Sequence, residues 1–364
     1  MPSEWLLTQL VVTIQTHSDR TLTRTFVVDR TAPIALTMGE PAGIGGEIAL
    51  MAWRNLRATG PTFFLIDDPI RITRLATEVG IAVPILTIEN PTQANDTFSE
   101  GLPVLPIGMR VDFSAGRLEQ ANAAAVIRSI EKAVRFASTG AVSAVVTNPI
   151  QKSVLYQAGF KFPGHTEYLG ALVGASVDPV MMLASPQLKV VPVTIHVALR
   201  QAIALLTTEL VVDRACIVAD ALVRDFGIAT PRLAVLGLNP HAGENASMGT
   251  EDRDIIAPAI EQLVAAGIAA FGPLPPDTAF TTGMRPSYDA AICMYHDQGL
   301  IPLKTLDIDS GVNITLGLPI VRTSPDHGTA LDIAGKGIAN AGSLIEAIKI
   351  AALIASHRRT EQRK

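Results

Sequence analysis

From Ala32 onward, short apolar runs alternate with segments of helical periodicity, which restricts the chain to the α/β class with a largely parallel sheet. Pro33–Thr37, Thr62–Ile66, Ala141–Thr147, Val190–Ile195, Leu233–Leu238 and Ala290–Tyr295 have the length and apolar character of buried strands. Helical patterns fall on Ile48–Arg57, Pro69–Val79, Ala121–Ser138 and Asp252–Ala266, and a last helix is expected over Ser343–Ser356. No internal repeat interrupts this order.

The 364 residues suffice for two packed domains or one large one, and with 48% apolar and 17% charged residues a sizeable core is expected. A net charge of −5 leaves no electrostatic footprint for nucleic acid. No apolar run reaches the roughly 18 residues of a membrane span, and the start lacks a secretory pattern, so a cytoplasmic protein is expected. Cys216 and Cys293 both read as buried small hydrophobes. Residues 1–32 read as an extension: Leu10–Gln15 and Leu22–Val28 flank His17-Ser18-Asp19-Arg20 as a hairpin would, or the stretch is poorly ordered. The end, Arg358–Lys364, reads as a solvated charged tail.

Chemistry is concentrated where the apolar runs stop. His196, His241 and His296 each follow such a run, and ligands gather at the ends of parallel strands. Imidazole is the commonest metal ligand, so a metal site drawn from separate strand ends is one reading, and capping or packed histidines the other. His165, in Gly164-His165-Thr166-Glu167, opens a helix, with Thr166 either an N-cap or a ligand contact. Lys304, Asn313 and Arg322 read as strand-end residues suited to phosphate or, one by one, as surface polarity. The turn Met38-Gly39-Glu40-Pro41-Ala42-Gly43-Ile44-Gly45-Gly46-Glu47 is an anion or cofactor cradle or a plain βα turn; its spacing is not the dinucleotide fingerprint.

Met38–Gly45, Gly164–Glu167, Leu238-Asn239-Pro240-His241-Ala242-Gly243-Glu244 and Met294-Tyr295-His296-Asp297-Gln298-Gly299-Leu300 resemble the 4-hydroxythreonine-4-phosphate dehydrogenase family. So do Gly311–Pro319 and Asp326-His327-Gly328-Thr329-Ala330, and the resemblance runs in order from about Ile34 to Ala352. It implies an isocitrate/isopropylmalate dehydrogenase-like fold of two α/β/α domains with a cleft between them. One domain would comprise residues 33–150 and 320–364 on the cofactor side, the other residues 151–319 with metal, substrate and dimerisation functions. It also implies a homodimer with its active site at the subunit interface, and dependence on NAD or NADP and a divalent metal (zinc, magnesium, cobalt or manganese). Carried over by motif, His196, His241 and His296 are metal ligands, while His165, Thr166, Lys304, Asn313 and Arg322 contact the substrate. Asp277 is placed near that site. The segment His327–Asn340 is similar to the adenosine-binding loop of isopropylmalate dehydrogenases, which assigns His327, Gly328 and Asn340 to the cofactor.

The implied reaction is oxidation of 4-phosphohydroxy-L-threonine at C3 with decarboxylation to 3-amino-2-oxopropyl phosphate, in pyridoxine phosphate biosynthesis. Paralogous activities on a four-carbon sugar-acid phosphate or a cyclic dihydrodiol carboxylate stay open, as, further off, does a metal lyase or binding protein without redox chemistry. Asp297 and Lys152 both stand as candidates for the general base.

Overall fold

A run such as Phe63-Phe64-Leu65-Ile66 can bury every side chain only when both faces of its strand are covered, the situation of a parallel strand under helices. The computed structural model, which describes residues 8–15, 21–28, 32–162, 164–175 and 178–362, has that arrangement, and all four side chains are buried. The chain divides into two compact units, the first extending to Asp178 and including Leu318–Ser356, the second comprising Pro179–Gly317 and the residues from His357 on.

In chain order, β1 (Thr8–Gln15) pairs antiparallel with β2 (Thr21–Val28), so the hairpin reading of the extension is the one found. The first unit continues with β3 (Ile34–Thr37), α1 (Gly45–Leu56), β4 (Phe63–Asp67), α2 (Pro69–Glu78), β5 (Ile85–Thr87) and α3 (Ala94–Thr97). After these come β6 (Leu102–Pro106), α4 (Ala123–Ser138), β7 (Ala144–Val146), α5 (Lys152–Gln157) and α6 (His165–Val173). The second unit holds β8 (Val180–Ala184), β9 (Lys189–Thr194), α7 (Leu199–Leu205), α8 (Thr208–Arg224), β10 (Arg232–Leu236), α9 (Ala257–Ala265) and β11 (Ala269–Leu274). It ends with α10 (Pro276–Ala279), β12 (Ala290–Tyr295), α11 (His296–Leu306) and β13 (Val312–Leu316). Last come β14 (Arg322–Pro325) and α12 (Gly342–Gln362).

Strands of the first unit lie in the order β14-β7-β3-β4-β6-β5, every neighbouring pair parallel, with Ile34 opposite both Phe63 and Ala144. Helix α4 buries Val126, Ile130 and Val134, spaced four apart, in one cluster with Phe64, Ile66 and Val145. Val154 and Leu155 of α5 and Tyr168 and Leu169 of α6 join that same cluster. The division therefore falls after residue 178 and before 318, compared with the expected 150 and 320, because α5 and α6 bury their apolar faces in the first unit's core.

In the second unit the order is β11-β10-β12-β9-β8-β13. β11, β10, β12 and β9 are mutually parallel, while β8 runs antiparallel to β9 and β13 antiparallel to β8. The core gathers Val190, Leu236, Ala291, Cys293 and Leu303. Cys293 is buried as expected, but Cys216 on α8 is only half-buried; both are free thiols.

The charged end departs from its reading as a solvated tail. α12 continues to Gln362, and Arg358, 14% exposed in its side chain, holds the buried Asp225 through two bonds of 2.7 and 2.9 Å. The expected helix from Asp252 opens with one π-helical turn, Asp252–Ile256, before α9. No helix among the described residues is long and apolar enough to cross a membrane.

Candidate active site

Three adjacent parallel strands of the second unit, β10, β12 and β9, finish on one edge, and a histidine follows each. His296 comes directly after β12 as the first residue of α11, His196 two residues after β9, and His241 in the turn after β10. The His196 and His296 rings lie 5.8 Å apart at an open pocket that Thr194, Leu199, Tyr295 and Asp297 also line. Thr194 Oγ1 donates to the Met294 carbonyl at 2.8 Å, fastening the two strand ends together. Asp297 Oδ1 lies 2.7 Å from His296 Nδ1, which leaves Nε2 as the ring nitrogen for a ligand.

His241 stands on strained backbone. Residues His241 through Ala246 all have positive φ, at 53, 54, 78, 39, 56 and 68°, a left-handed turn in which only one member is glycine. Left-handed backbone costs roughly 1–2 kcal/mol per non-glycine residue, least for asparagine, so the turn is held from outside. His196 shares the feature at φ 42°. Among the described residues, no group of three His, Cys, Asp or Glu in the single chain is gathered closely enough to hold a metal. The chain by itself brings together the pair His196 and His296, not the trio. Imidazole nitrogens at strand ends nevertheless fit a borderline divalent cation in their donor chemistry.

Lys304 and Asn313 are placed differently from their strand-end reading. Lys304 lies within α11, because the helix accommodates Pro302, and it is half-buried. Asn313 is inside β13, where its Oδ1 is enclosed without a hydrogen-bond partner. Asp277 is exposed on α10, which packs against the His241 turn.

In the first unit the N-terminus of α6 carries the second group. Gly164 occupies the cap position and no side chain caps the helix, so Thr166 is not the N-cap and its hydroxyl is uncommitted to that role. His165 is half-buried with Nε2 enclosed and unpartnered. Enclosure first, then the positive charges of Arg322 and Lys152, hold its pKa well below the ordinary histidine value, so the ring is neutral at pH 7. Arg322, 3% exposed at the start of β14, donates from Nη2 to Thr147 Oγ1 at 2.6 Å. Burial lowers its pKa to about 10, opposed by Glu167, and it stays cationic. Lys152 is exposed.

A stability prediction follows from His165. Unfolded, it binds a proton below about pH 6.5; folded, it does not until a lower pH. The fold should therefore lose stability as pH falls below about 6.5, with a slope of at most about 1.4 kcal/mol per pH unit from this one group. Asp225 and Asp289, whose pKa values are lowered, lose their contributions only below about pH 4. His165→Gln should flatten the upper window alone, read from thermal midpoints between about pH 7.5 and about pH 5. Identical profiles for the two proteins would discount the group.

The loop after β14 carries the expected cofactor residues. His327 Nε2 is enclosed and unpartnered, Gly328 is exposed, and Asn340 is exposed with its Oδ1 accepting from Gly342 N at 2.8 Å. The glycine-rich turn packs directly on this loop: Ile44 N donates to Thr329 O at 3.0 Å. Glu47, fully buried in α1, accepts from Gly335 N at 3.1 Å and Ala339 N at 3.2 Å. Gly39 has φ 68°, and a β-carbon there would lie 2.7 Å from Pro149 O, so this position requires glycine. Below the turn, Arg71 reaches the Pro41 carbonyl and pairs with Asp67, both side chains fully buried. The turn is thus the support of the 327–340 loop. Thr147 drew no functional reading from sequence, since its partner Arg322 lies 175 residues away, and the reading of the turn as a cradle did not single out Glu47, whose partner Ala339 lies 292 residues away.

Residues 61–351 match the family described as "Pyridoxal phosphate biosynthetic protein PdxA". The chain is 54% identical over 330 residues to a 4-hydroxythreonine-4-phosphate dehydrogenase of Methylorubrum populi, covering 89% of this chain and 94% of the relative. It is 52% identical over 331 residues to the enzyme of that name from Caulobacter vibrioides, covering 90% and 98%. The crystal structure of a 4-hydroxythreonine-4-phosphate dehydrogenase from Burkholderia phymatum is similar with a TM-score of 0.76 at 38% identity, covering 89% of this chain and 98% of that one.

Proposed function

We propose that this chain, which belongs to the PdxA family of pyridoxal phosphate biosynthetic proteins, is a 4-hydroxythreonine-4-phosphate dehydrogenase. It oxidises its substrate at C3, releases the carboxylate as CO2, and yields 3-amino-2-oxopropyl phosphate. The observation that carries the reading is the delivery of His196, His241 and His296 to one edge by three adjacent parallel strands, in a chain more than half identical to enzymes of that name.

His196, His241 and His296 are the residues that would hold the divalent cation, and His327, Gly328 and Asn340 those that would meet NAD or NADP. When bound, the cation supplies Lewis-acid polarisation of the reacting oxygen and the nicotinamide accepts hydride. The chain's own residues bind and orient. Arg322, cationic and fixed by Thr147, provides a forked anion contact. His165, neutral, offers one hydrogen bond without adding charge beside Arg322. Asn313 Oδ1 offers an acceptor. Thr166 and Lys304 complete the proposed contacts, so that binding of the phosphate end is converted into register at C3. A homodimer fits the exposed apolar side chains Val197, Leu199, Ile203 and Leu205, which follow His196 on and before α7.

The test is NAD(P)H formation with 4-phosphohydroxy-L-threonine and with D-threonate 4-phosphate, each with and without chelator. Chelator-sensitive turnover of the first substrate is expected with either dinucleotide. Turnover of only the second would overturn the substrate, and failure with both nucleotides would overturn the dehydrogenase reading.

A further inference from the structure

The strand end that leads into the left-handed turn of His241 is held by two buried side chains with no part in the chemistry described so far. Asp252 is 2% exposed; its Oδ1 accepts from Leu238 N at 2.8 Å, and its Oδ2 from Asn239 N at 3.1 Å and Asn239 Nδ2 at 2.8 Å. Gln298, 6% exposed in the first turn of α11, accepts from Met294 N at 2.6 Å and donates to Gly237 O at 2.8 Å. Gly237, Leu238 and Asn239, which lead into the turn, thus have their main chain fixed from two sides. A β-carbon at Gly237 would lie 2.7 Å from Asp252 Oδ1, so the strand end approaches the carboxylate only as glycine. Within the turn, Ala242 N bonds Asn239 O at 3.0 Å and Met248 N bonds Gly243 O at 3.2 Å. Those bonds do not explain six consecutive left-handed residues, which persist only where the surroundings over-determine them.

We propose that Asp252 and Gln298 are positioning residues that impose the left-handed conformation on His241–Ala246 and thereby set how His241 presents its imidazole to a divalent cation. The inference rests on the reading of His241 as a metal ligand. Asp252 is suited to the task because both its carboxyl oxygens are placed to accept, and three N–H groups converge on them. Asparagine would turn a donor toward one of those N–H groups. Gln298 works through the opposite polarity, its amide donating to the Gly237 carbonyl, which an acceptor-only carboxylate could not hold. Since α11 begins at His296, the same glutamine also ties the strand end before His241 to the helix that opens with His296.

The test uses full-length protein stripped by chelator and titrated with Co2+, following the visible absorption of bound cobalt, with thermal melting of each metal-free variant. Asp252→Asn should weaken cobalt affinity roughly 10–100-fold and alter the cobalt spectrum, the range for groups that orient metal ligands. Turnover should recover as cobalt is raised. Gln298→Glu, which keeps the acceptor and removes the donor, should shift affinity the same way by a smaller factor, and serves if Asp252→Asn does not fold. His241→Ala should lose the cobalt signal. Wild-type affinity and spectrum in a cooperatively melting Asp252→Asn or Gln298→Glu protein, with binding lost in His241→Ala, would overturn the positioning role while sparing the ligand reading. Wild-type binding in His241→Ala would remove the ligand reading and the inference with it.

Discussion

Replacing His296 with alanine is expected to lower metal-dependent turnover by at least about a thousandfold while leaving the protein folded. His296 is the first residue of α11, its Nδ1 is engaged by Asp297, and its ring stands 5.8 Å from that of His196. Alanine deletes the one nitrogen that arrangement leaves for a ligand. The side chain is 36% exposed and lies at a pocket edge, so its removal opens no cavity and stability should change by about 0.5 kcal/mol or less. Turnover and cobalt binding, measured beside the thermal midpoint, separate the two effects. Undiminished turnover after chelation and reloading would remove His296 from the ligand set. Collapse of the fold would show that its role is structural.

Arg322→Met should produce an enzyme that is folded and nearly blind to its phosphorylated substrate. Arg322 is almost wholly buried, and its guanidinium is the charged fork beside His165. Loss of a charge-assisted, forked contact to an anion should raise KM about a hundredfold or more. Methionine keeps the apolar stem but leaves the buried Thr147 hydroxyl without its donor, so the thermal midpoint should fall by the equivalent of about 1–3 kcal/mol while the protein still folds. Removing the guanidinium should also let the His165 pKa rise, because Arg322 is one of the charges that depress it. The loss of stability on the acid side would then begin at the same pH and be smaller. Arg322→Lys should not restore KM, since an ammonium cannot reproduce the fork. A KM unchanged in Arg322→Met would place substrate binding elsewhere.

The strand and helix order was legible because a buried parallel strand leaves an uninterrupted apolar run. Pro33–Thr37, Thr62–Ile66 and Ala290–Tyr295 match β3, β4 and β12 to within a residue. The strand-end histidines were legible for the same reason, since a polar residue after such a run marks the edge of the sheet. Lys304 was misplaced because Ile301-Pro302-Leu303 looks like another strand, and only packing shows that α11 tolerates the proline. The Arg358 tail was misread because its partner, Asp225, lies 133 residues earlier. Asp252 was seen only as a helix start, although it is the acceptor for Leu238 and Asn239 just past the end of the strand before it.

Taken alone, the order of residues determined the α/β class, the motif blocks that place the chain in its family, and the strand ends from which the histidines emerge. Those depend on local periodicity and on spacing along the chain. Tertiary structure alone decided that α5 and α6 belong to the first unit, that Glu47 holds the 327–340 loop, that His165 is neutral and Arg322 enclosed, and that His241 rides a left-handed turn whose preceding residues are held by Asp252 and Gln298. Each of these rests on burial or on a hydrogen bond between residues far apart in sequence, and desolvation and bond geometry exist only once the chain has packed.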